Sequence, residues 1–260
     1  MLVYPQLASG ALTQFPVRKV RRMRTIVNSL ADATSIKLGD PQGEMTDWQL
    51  EYAGLSDDEV SALEQFFEAT EGSLRVFSFL DPTANLFAWS GQLENAVWSR
   101  EPFLTLEGGI PDPDGGTTGW RLSNSGAGPQ SISQTLSAPG GYMYCLSAYG
   151  RSTQTTTVSL LRGGDRAERI VGSNWNRLTF SGHGDTTAES VEFGIEVPAG
   201  ASVDLFGLQV EPQAGASAYK ASTAGGVYQS AYFRDDVLTF TATDVNRHSA
   251  TVNISYANRL

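Results

Sequence analysis

This sequence has little of what a disulfide framework, a metal site or a thiol enzyme requires. Its 260 residues include one cysteine and two histidines. A single cysteine excludes an intrachain disulfide, and Cys145 lies in a strand-like run where we expect a small buried side chain. His183 and His248 lie in no motif with a partner for metal binding or nucleophilic catalysis. We therefore expect no metal, no cofactor and no catalytic residues.

The sequence also lacks long hydrophobic runs and an excess of positive charge. No stretch is long and apolar enough to predict a membrane-spanning helix, and the N-terminus has no apolar signal core, so we expect synthesis in the cytoplasm and no membrane contact. Asp and Glu number 28 against 18 Lys and Arg, which gives a formal net charge of −10. This charge disfavours nucleic-acid binding through a broad basic face, and we expect no specific nucleic-acid binding.

Glycine, serine, threonine and aromatic residues are abundant, whereas helix-forming runs are scarce. This balance favours a mainly β chain with many turns. In the middle of the chain, short strand-like segments recur between turn signals, which is typical of a β-sandwich or jelly roll. The strands predicted there are 130–136, 142–149, 155–161, 176–180, 191–197 and 203–210.

One helix is predicted in the first third of the chain. Ser56 is a favourable N-cap, and Glu59 three residues later completes a capping box. Leu63 and Phe67 then lie on one face of the helix. Gly72 is a typical C-terminal stop.

The two ends of the chain contain too few strands to fold separately. The short strands predicted there are 25–27, 35–38, 237–241 and 250–256, with two more around Trp48, Leu50 and Tyr52 and around Phe77 and Phe79. Two strands at the C-terminus cannot form a stable fold alone, so they need the N-terminal segment as a partner. We therefore expect 1–84 and 222–260 to form one discontinuous β domain, with 85–221 inserted in an exposed loop.

The outer segments resemble a known family. The run WQLEYAGLSDDEVSALEQFF, followed by a glycine and FSFLDP, resembles the N-terminal half of phage distal tail proteins and of tail proteins of gene-transfer-agent type. The resemblance implies a β-sandwich or split-barrel domain with one packed α-helix. It also implies that this domain forms a ring, with six-fold symmetry, around the tail tube. It implies a virion structural protein of the tail tip or baseplate. Its partners would be copies of itself, the tail tube and hub or baseplate proteins, in a virion tail assembled in the host cytoplasm.

The middle segment resembles a second family. NLFAWSGQLENAVWS and LFGLQVEPQAGASAYKAS are similar to the start and the end of carbohydrate-binding-like jelly rolls in phage tail and tail-fibre proteins. The chain departs from that pattern at Gly91, where an acidic or polar residue is usual, and at Lys220, where proline is usual. The resemblance implies an outward jelly-roll β-sandwich at 85–221 that contacts host-surface glycans.

Tryptophans are the candidate glycan-binding residues, because a sugar ring stacks its C–H face on an exposed indole. The middle segment contains Trp89, Trp98, Trp120 and Trp175. Core packing is the alternative for each of them. Trp175 stands between Asn174 and Asn176 in a predicted loop, so we predict this trio as the glycan-binding site, with the amides bonding hydroxyl groups.

Charged residues are the candidate subunit contacts. The basic cluster consists of Arg18, Lys19, Arg21, Arg22 and Arg24. One face of the predicted helix carries the acidic residues Asp57, Asp58, Glu64 and Glu68. We predict that these two sets pair between neighbouring subunits of the ring and set its register. A grip on DNA phosphates is the alternative, but it would hinder ejection through the tail.

Other functions are less well supported by the residues. The run 111–116 has oxygen ligands close together but lacks a full calcium-loop pattern, so a turn is favoured over a structural calcium site. A depolymerase needs two carboxylates across a cleft, and the acidic residues near 185–196 are expected to be a solvated strand face. The alternative hypotheses are therefore a stand-alone glycan-binding adhesin and, after it, a polysaccharide depolymerase.

Overall fold

The computed structural model describes residues 2–9 and 14–257 of the chain. These residues form three antiparallel sheets and one helix. The predicted fold class is confirmed: the chain is mainly β, with one packed helix and a jelly-roll β-sandwich. In the described ranges, no helix combines the length and the apolar character that crossing a membrane requires.

The elements are numbered here in chain order. They are β1 Val17–Ser29, β2 Ser35–Leu55, α1 Asp57–Ala69, β3 Phe77–Leu80, β4 Ser99–Arg100, β5 Leu104–Ile110, β6 Gly119–Asn124, β7 Gln130–Leu136, β8 Met143–Arg151, β9 Thr156–Arg162, β10 Asp165–Val171, β11 Asn176–His183, β12 Val191–Val197, β13 Ser202–Glu211, β14 Val227–Phe233, β15 Phe240–Asp244 and β16 Arg247–Ala257.

The chain divides into two compact units. One unit consists of Met1–Phe79 and Tyr228–Leu260, and the other of Leu80–Val227. We call them the terminal unit and the central unit.

The terminal unit is built on one sheet with strand order β1-β2-β16-β14-β3, in which β15 also pairs with β16. Along β2, Trp48, Leu50 and Tyr52 are buried and alternate with less buried polar residues. This alternation places one face of the sheet in the core. Because β16 pairs with β2 from Met45 to Leu55, the first and last parts of the chain share this sheet.

Helix α1 begins and ends where the sequence predicts. The Oγ of Ser56 accepts a hydrogen bond from the Glu59 amide at 3.3 Å, and the Glu59 carboxylate accepts one from the Ser56 amide at 3.0 Å. This reciprocal pair is the capping box. The helix ends at Ala69, and Gly72 follows in the left-handed region at φ +64°.

The N-terminal strands are longer than the short segments predicted at 25–27 and 35–38. Strand β1 has 13 residues and β2 has 21. Polar positions did not end these strands, because cross-strand partners such as Arg24 and Asp40 form ion pairs that extend the ladder. Among the described residues, β16 pairs β2 only from Met45 onward, so 24–40 is a two-stranded hairpin; we call it the hairpin arm.

The central unit is a sandwich of two five-stranded sheets, with orders β10-β9-β12-β7-β4 and β11-β8-β13-β6-β5. The sheets share one core, in which Tyr144 of β8 meets Phe193 of β12 at 5.2 Å between ring centroids. Strands β4, β5, β6 and β10 lie outside the predicted set, and β5 contains two glycines, which are unfavourable in strands. Gly109, at φ +81°, forms a bulge there against β6.

The two ends of the central unit lie side by side. The Asp81 amide donates to the Gly226 carbonyl at 2.9 Å, and the Ser90 amide donates to the Ser222 carbonyl at 2.9 Å. Segments 81–90 and 222–226 are therefore joined by backbone hydrogen bonds.

Candidate functional site

The central unit contains a pocket of about 310 Å³ beside the start of strand β6 and the middle of strand β13. This volume is at the lower end of the range for small-molecule sites. Three separate parts of the chain, besides β13, bring aromatic side chains to it: Trp89, Trp120 and Tyr219. The other lining residues are Ser90, Gly91, Gln92, Leu93, Thr118, Leu205, Phe206, Gly207, Leu208, Ala221, Ser222 and Thr223.

Trp120 is fixed in place by its indole nitrogen. Its Nε1 donates a hydrogen bond to the carbonyl oxygen of Gly91 at 3.0 Å. On the neighbouring strand, a Cβ at Gly108 would lie 3.1 Å from the indole, so the bare glycine leaves room for the ring. The indole is half-buried and therefore still presents part of its surface to solvent.

Trp89 has an unusual backbone conformation. Its φ is +49°, in the left-handed region that bulky side chains rarely adopt. Its carbonyl accepts hydrogen bonds from the indole nitrogen of Trp98 at 3.1 Å and from the backbone amide of Gln92 at 2.9 Å. Strained backbone of this kind clusters at ligand-binding sites, where the surrounding structure maintains it.

Tyr219 forms the third aromatic wall. Its hydroxyl shares a hydrogen bond with the Oγ of Ser90 at 3.1 Å, and its ring meets Phe206 edge-on at 5.1 Å. Burial raises the pKa of Tyr219 above its ordinary value, outweighing the hydrogen bond to Ser90. The phenol therefore stays neutral at physiological pH.

The chemistry of the pocket is that of a neutral binding site. The lining residues offer aromatic faces, hydroxyl groups, one amide and backbone groups, and none of them carries a charge. Such a surface can pack against apolar C–H groups and exchange hydrogen bonds with hydroxyl groups. It contains no acid–base pair of the kind that hydrolysis needs.

The predicted trio at the β10–β11 loop lies outside this pocket. Asn174 and Asn176 are exposed, whereas Trp175 is half-buried and its ring lies 4.7 Å from the guanidinium of Arg151. The Asn176 side chain donates to the Asn174 carbonyl at 3.4 Å, so the loop holds the three residues together. Their role in glycan binding stays a prediction.

Most of the predicted basic cluster has partners on the neighbouring strand rather than on the helix. Arg21 pairs with Glu44, Arg24 pairs with Asp40, and Arg22 pairs with Asp47 at 2.7 Å. The ammonium of Lys19 lies 5.4 Å from the ring centroid of Trp48, and Arg18 is exposed. The strand pairing brings these acidic residues of β2 opposite β1, which short-range patterns do not reveal.

The four acidic helix residues predicted as subunit contacts lie at the surface. Asp58, Glu64 and Glu68 are exposed, and Asp57 lies 2.6 Å from the Nε2 of His248 in the same unit. The predicted contact between subunits through these residues stays a prediction.

The acidic run at 111–116 is a self-contained turn. The Asp112 carboxylate accepts hydrogen bonds from the amides of Asp114, Gly116 and Thr118 at 3.0, 2.8 and 3.0 Å, and from the Thr118 hydroxyl at 2.8 Å. These bonds, led by that from the Thr118 amide, lower the pKa of Asp112. Within residues 2–9 and 14–257, no group of three or more His, Cys, Asp and Glu side chains is placed to hold a metal ion.

The carboxylates considered for a depolymerase have structural partners. Glu192 accepts a hydrogen bond from Ser133, and Glu196 pairs with Arg166 at 2.8 Å. Asp185 accepts a bond from the amide of Thr187, two residues along its own turn, at 2.8 Å. These contacts stabilise strands and turns and do not assemble a cleft.

Comparison with known proteins gives similar structures but no family. No known family model matches the chain, and no curated protein matches it significantly. One similar structure is the enzymatically active domain of Bacteriophage CBA120 tailspike protein 4, at 19% identity and a TM-score of 0.39. The match covers 51% of this chain and only 22% of the tailspike chain.

Two carbohydrate-binding modules are also similar. The CBM22-1 xylan-binding domain from Paenibacillus barcinonensis Xyn10C matches at 13% identity and a TM-score of 0.42, covering 51% of this chain and 96% of the module. The C-terminal family 22 module of Clostridium thermocellum Xyn10B matches at 14% identity and a TM-score of 0.44, covering 53% of this chain and 98% of the module.

Proposed function

We propose that this chain is a structural protein of a phage tail tip or baseplate, whose central unit binds a carbohydrate in the aromatic pocket. The observation that carries the binding role is the placement of Trp89, Trp120 and Tyr219 around one cavity lined with hydroxyl groups. A sugar has apolar C–H faces and a rim of hydroxyls, so its surface complements both parts of this lining.

The pocket is built before a ligand arrives. The bonds from Trp120 to Gly91 and between Tyr219 and Ser90 fix two of the rings. The backbone amide of Trp89 donates a hydrogen bond to the Thr223 carbonyl at 3.2 Å, and this bond holds the strained conformation of Trp89. A preorganised site loses little conformational entropy on binding, which favours affinity for a weakly interacting ligand such as a sugar.

The binding role is tested by a glycan array followed by titration calorimetry. We expect wild-type protein to bind at least one oligosaccharide, Trp120→Ala to lose that binding, and Trp175→Ala to retain it. The two variants are matched, because both remove a half-buried tryptophan from the central unit. Loss of binding in Trp175→Ala alone would move the site to the trio with Asn174 and Asn176, and no binding to any glycan would overturn the role.

The hairpin arm supports the assembly role. Its register pairs Ile26 with Leu38 and Asn28 with Ile36, which places Ile26, Leu38 and Ile36 on one face. These side chains are 41%, 51% and 48% exposed. A two-stranded hairpin is marginally stable in water by itself, and a group of exposed apolar side chains is typical of an interaction surface.

We propose that this arm packs against the next copy of the chain in a closed ring around the tail tube. Among the described residues, strand β1 stands at the edge of its sheet, and an edge strand is suited to pairing with another chain. Arg18 and the exposed acidic residues Asp58, Glu64 and Glu68 suit the polar rim of such a contact and would set its register. The six-fold symmetry and the tail-tube and hub partners follow from the resemblance of the outer segments.

The assembly role is tested by mass photometry and negative-stain electron microscopy of the purified chain. We expect ring-shaped oligomers, and we expect mass spectrometry to find the chain in purified tails. A monomer that still binds glycan and is missing from tail particles would instead support the stand-alone adhesin. Release of sugar from host capsule would support the depolymerase.

A further inference from the structure

We infer that the ligand of the aromatic pocket is an uncharged glycan, and that anionic and cationic sugars are excluded from it. This inference rests on the proposed carbohydrate-binding function. It starts from the composition of the lining, which includes no Asp, Glu, Lys, Arg or His. The side chains that line the pocket are aromatic, aliphatic, hydroxyl or amide groups.

Three of the charged residues that are next to lining residues in the sequence have other partners, whereas Glu94, beside Leu93, is exposed. Arg121, beside Trp120, donates to the Asp204 carboxylate at 2.8 Å. The same carboxylate accepts a bond from Arg151 at 3.0 Å. Lys220, beside Tyr219, donates to the Thr83 carbonyl at 2.8 Å. Arg121, Asp204 and Lys220 are thus committed to structural contacts.

Binding of an anionic sugar in this pocket would be opposed by the free energy needed to remove the anion from water. A carboxylate or phosphate that leaves water needs a counter-charge or several donors, and the lining offers no cation. The formal net charge of −10 adds a weaker repulsion at longer range. Uronic acids, sialic acids and phosphate-bearing polymers therefore lack a matching site.

A cationic amino sugar is the remaining charged alternative. The face of a tryptophan attracts an ammonium group, and Trp89 and Trp120 present such faces. However, the lining has no carboxylate to complete the recognition of a cation. The ring hydroxyls and C–H faces of a neutral sugar match the whole lining, whereas an ammonium group matches the aromatic part alone.

Calorimetric titration with tetrasaccharides in matched pairs tests this inference. One pair is galactose against galacturonic acid units, which differ in charge at C6, and the other is N-acetylglucosamine against glucosamine units. We expect a neutral member to bind at least about tenfold more tightly than its charged counterpart. We also expect its Kd to be nearly constant from about 0.05 M to about 0.5 M NaCl, because no ionic contact is there to be screened.

The outcomes separate this inference from the function on which it rests. Equal or tighter binding of galacturonic or glucosamine oligomers overturns the inference and leaves carbohydrate binding intact. No binding by any tetrasaccharide, nor by any glycan on an array, overturns both.

A pair of charge variants at the pocket gives a second readout. Gln92 is an exposed lining residue, and Gln92→Lys adds a cation there whereas Gln92→Glu adds an anion of the same size as the amide. We expect Gln92→Lys to raise the affinity for the galacturonic acid oligomer relative to the galactose oligomer several-fold. We expect Gln92→Glu to lower this relative affinity. An unchanged relative affinity in both variants would place the ligand outside this pocket and overturn the inference.

Discussion

The indole of Trp120 donates a hydrogen bond to the carbonyl oxygen of Gly91 at 3.0 Å, and this bond joins strand β6 to the segment that follows Trp89. Trp120→Phe keeps an aromatic face but removes the donor. We expect it to weaken glycan binding several-fold, since a hydrogen bond of this kind contributes about 0.5–1.5 kcal/mol. Titration calorimetry measures the change, with Trp175→Phe as the control that retains wild-type affinity. Equal affinity in Trp120→Phe and wild type would contradict the role of this bond.

Gly207 makes room for Tyr219. Its φ is +68°, and an added Cβ would lie 3.1 Å from the Cγ of Tyr219. We expect Gly207→Ala to displace the Tyr219 ring and to lower both stability and glycan affinity. Gly200→Ala is the matched control, because its φ is +72° but no atom lies within 4 Å of the added Cβ. If both variants lost affinity equally, backbone strain rather than contact with Tyr219 would be the cause.

The capping box of α1 contributes measurably to the stability of the terminal unit. Ser56→Ala removes the Oγ acceptor for the Glu59 amide, and we expect a loss of about 1 kcal/mol in the free energy of unfolding. Urea denaturation measures this loss. Ser61→Ala, at an exposed position inside the helix, should change the free energy by less than about 0.5 kcal/mol. A larger effect at Ser61 than at Ser56 would contradict the prediction.

We expect Glu59 to make the terminal unit sensitive to acid. Burial tends to raise the pKa of Glu59, but hydrogen bonds from Ser9 and Ser56 outweigh burial and lower it. A carboxylate whose pKa is lower in the folded state than in the unfolded state stabilises the fold at pH values above the unfolded-state pKa. This contribution is lost as the pH falls through the folded-state pKa. We therefore expect Glu59→Gln to be less stable than wild type at neutral pH but to lose less stability below about pH 4.5.

Hydrogen exchange of the amides of α1, followed as a function of pH, checks the acid response of Glu59. Protection should fall with acid in wild type and stay nearly constant in Glu59→Gln. Parallel curves for the two proteins would show that other carboxylates control the acid response.

The hairpin arm should be required for assembly but not for folding. The double variant Ile26→Ser with Leu38→Ser makes its apolar face polar, so we expect ring formation to be lost while the melting temperature stays close to wild type. Val245→Ser is the control, since Val245 is 90% exposed but lies outside the arm. Mass photometry and differential scanning calorimetry measure the two properties. Rings that persist in the double variant would exclude the arm as the contact.

Local signals predicted the helix and several strands well. Ser56 and Glu59 act over three residues, so the capping box is readable directly from the sequence. The predicted strands 130–136 and 191–197 coincide with β7 and β12, because alternation and flanking turns determine them locally. The predictions are less accurate where a contact depends on strand register. Arg22 lies opposite Met45, and its ion-pair partner Asp47 is its diagonal neighbour on β2.

The pocket was harder to predict than the fold. The two runs that resemble the start and the end of a jelly roll contain Trp89 and Tyr219. The presence of one aromatic residue in each run is a sequence signal for the pocket. The position of Trp120 in the pocket depends on strand β6. This strand lies between glycine-rich turns, and its buried and less buried residues alternate only weakly. The left-handed backbone of Trp89 has no local signature, because it results from tertiary bonds to Trp98 and Thr223.

The backbone bonds between 81–90 and 222–226 have a consequence for how such a chain diversifies. A module whose first and last residues are neighbours can be replaced by recombination at two short seams without lengthening the path of the host polypeptide. A protein of this design can exchange such a module in one genetic event while the sequence on either side of it is inherited unchanged.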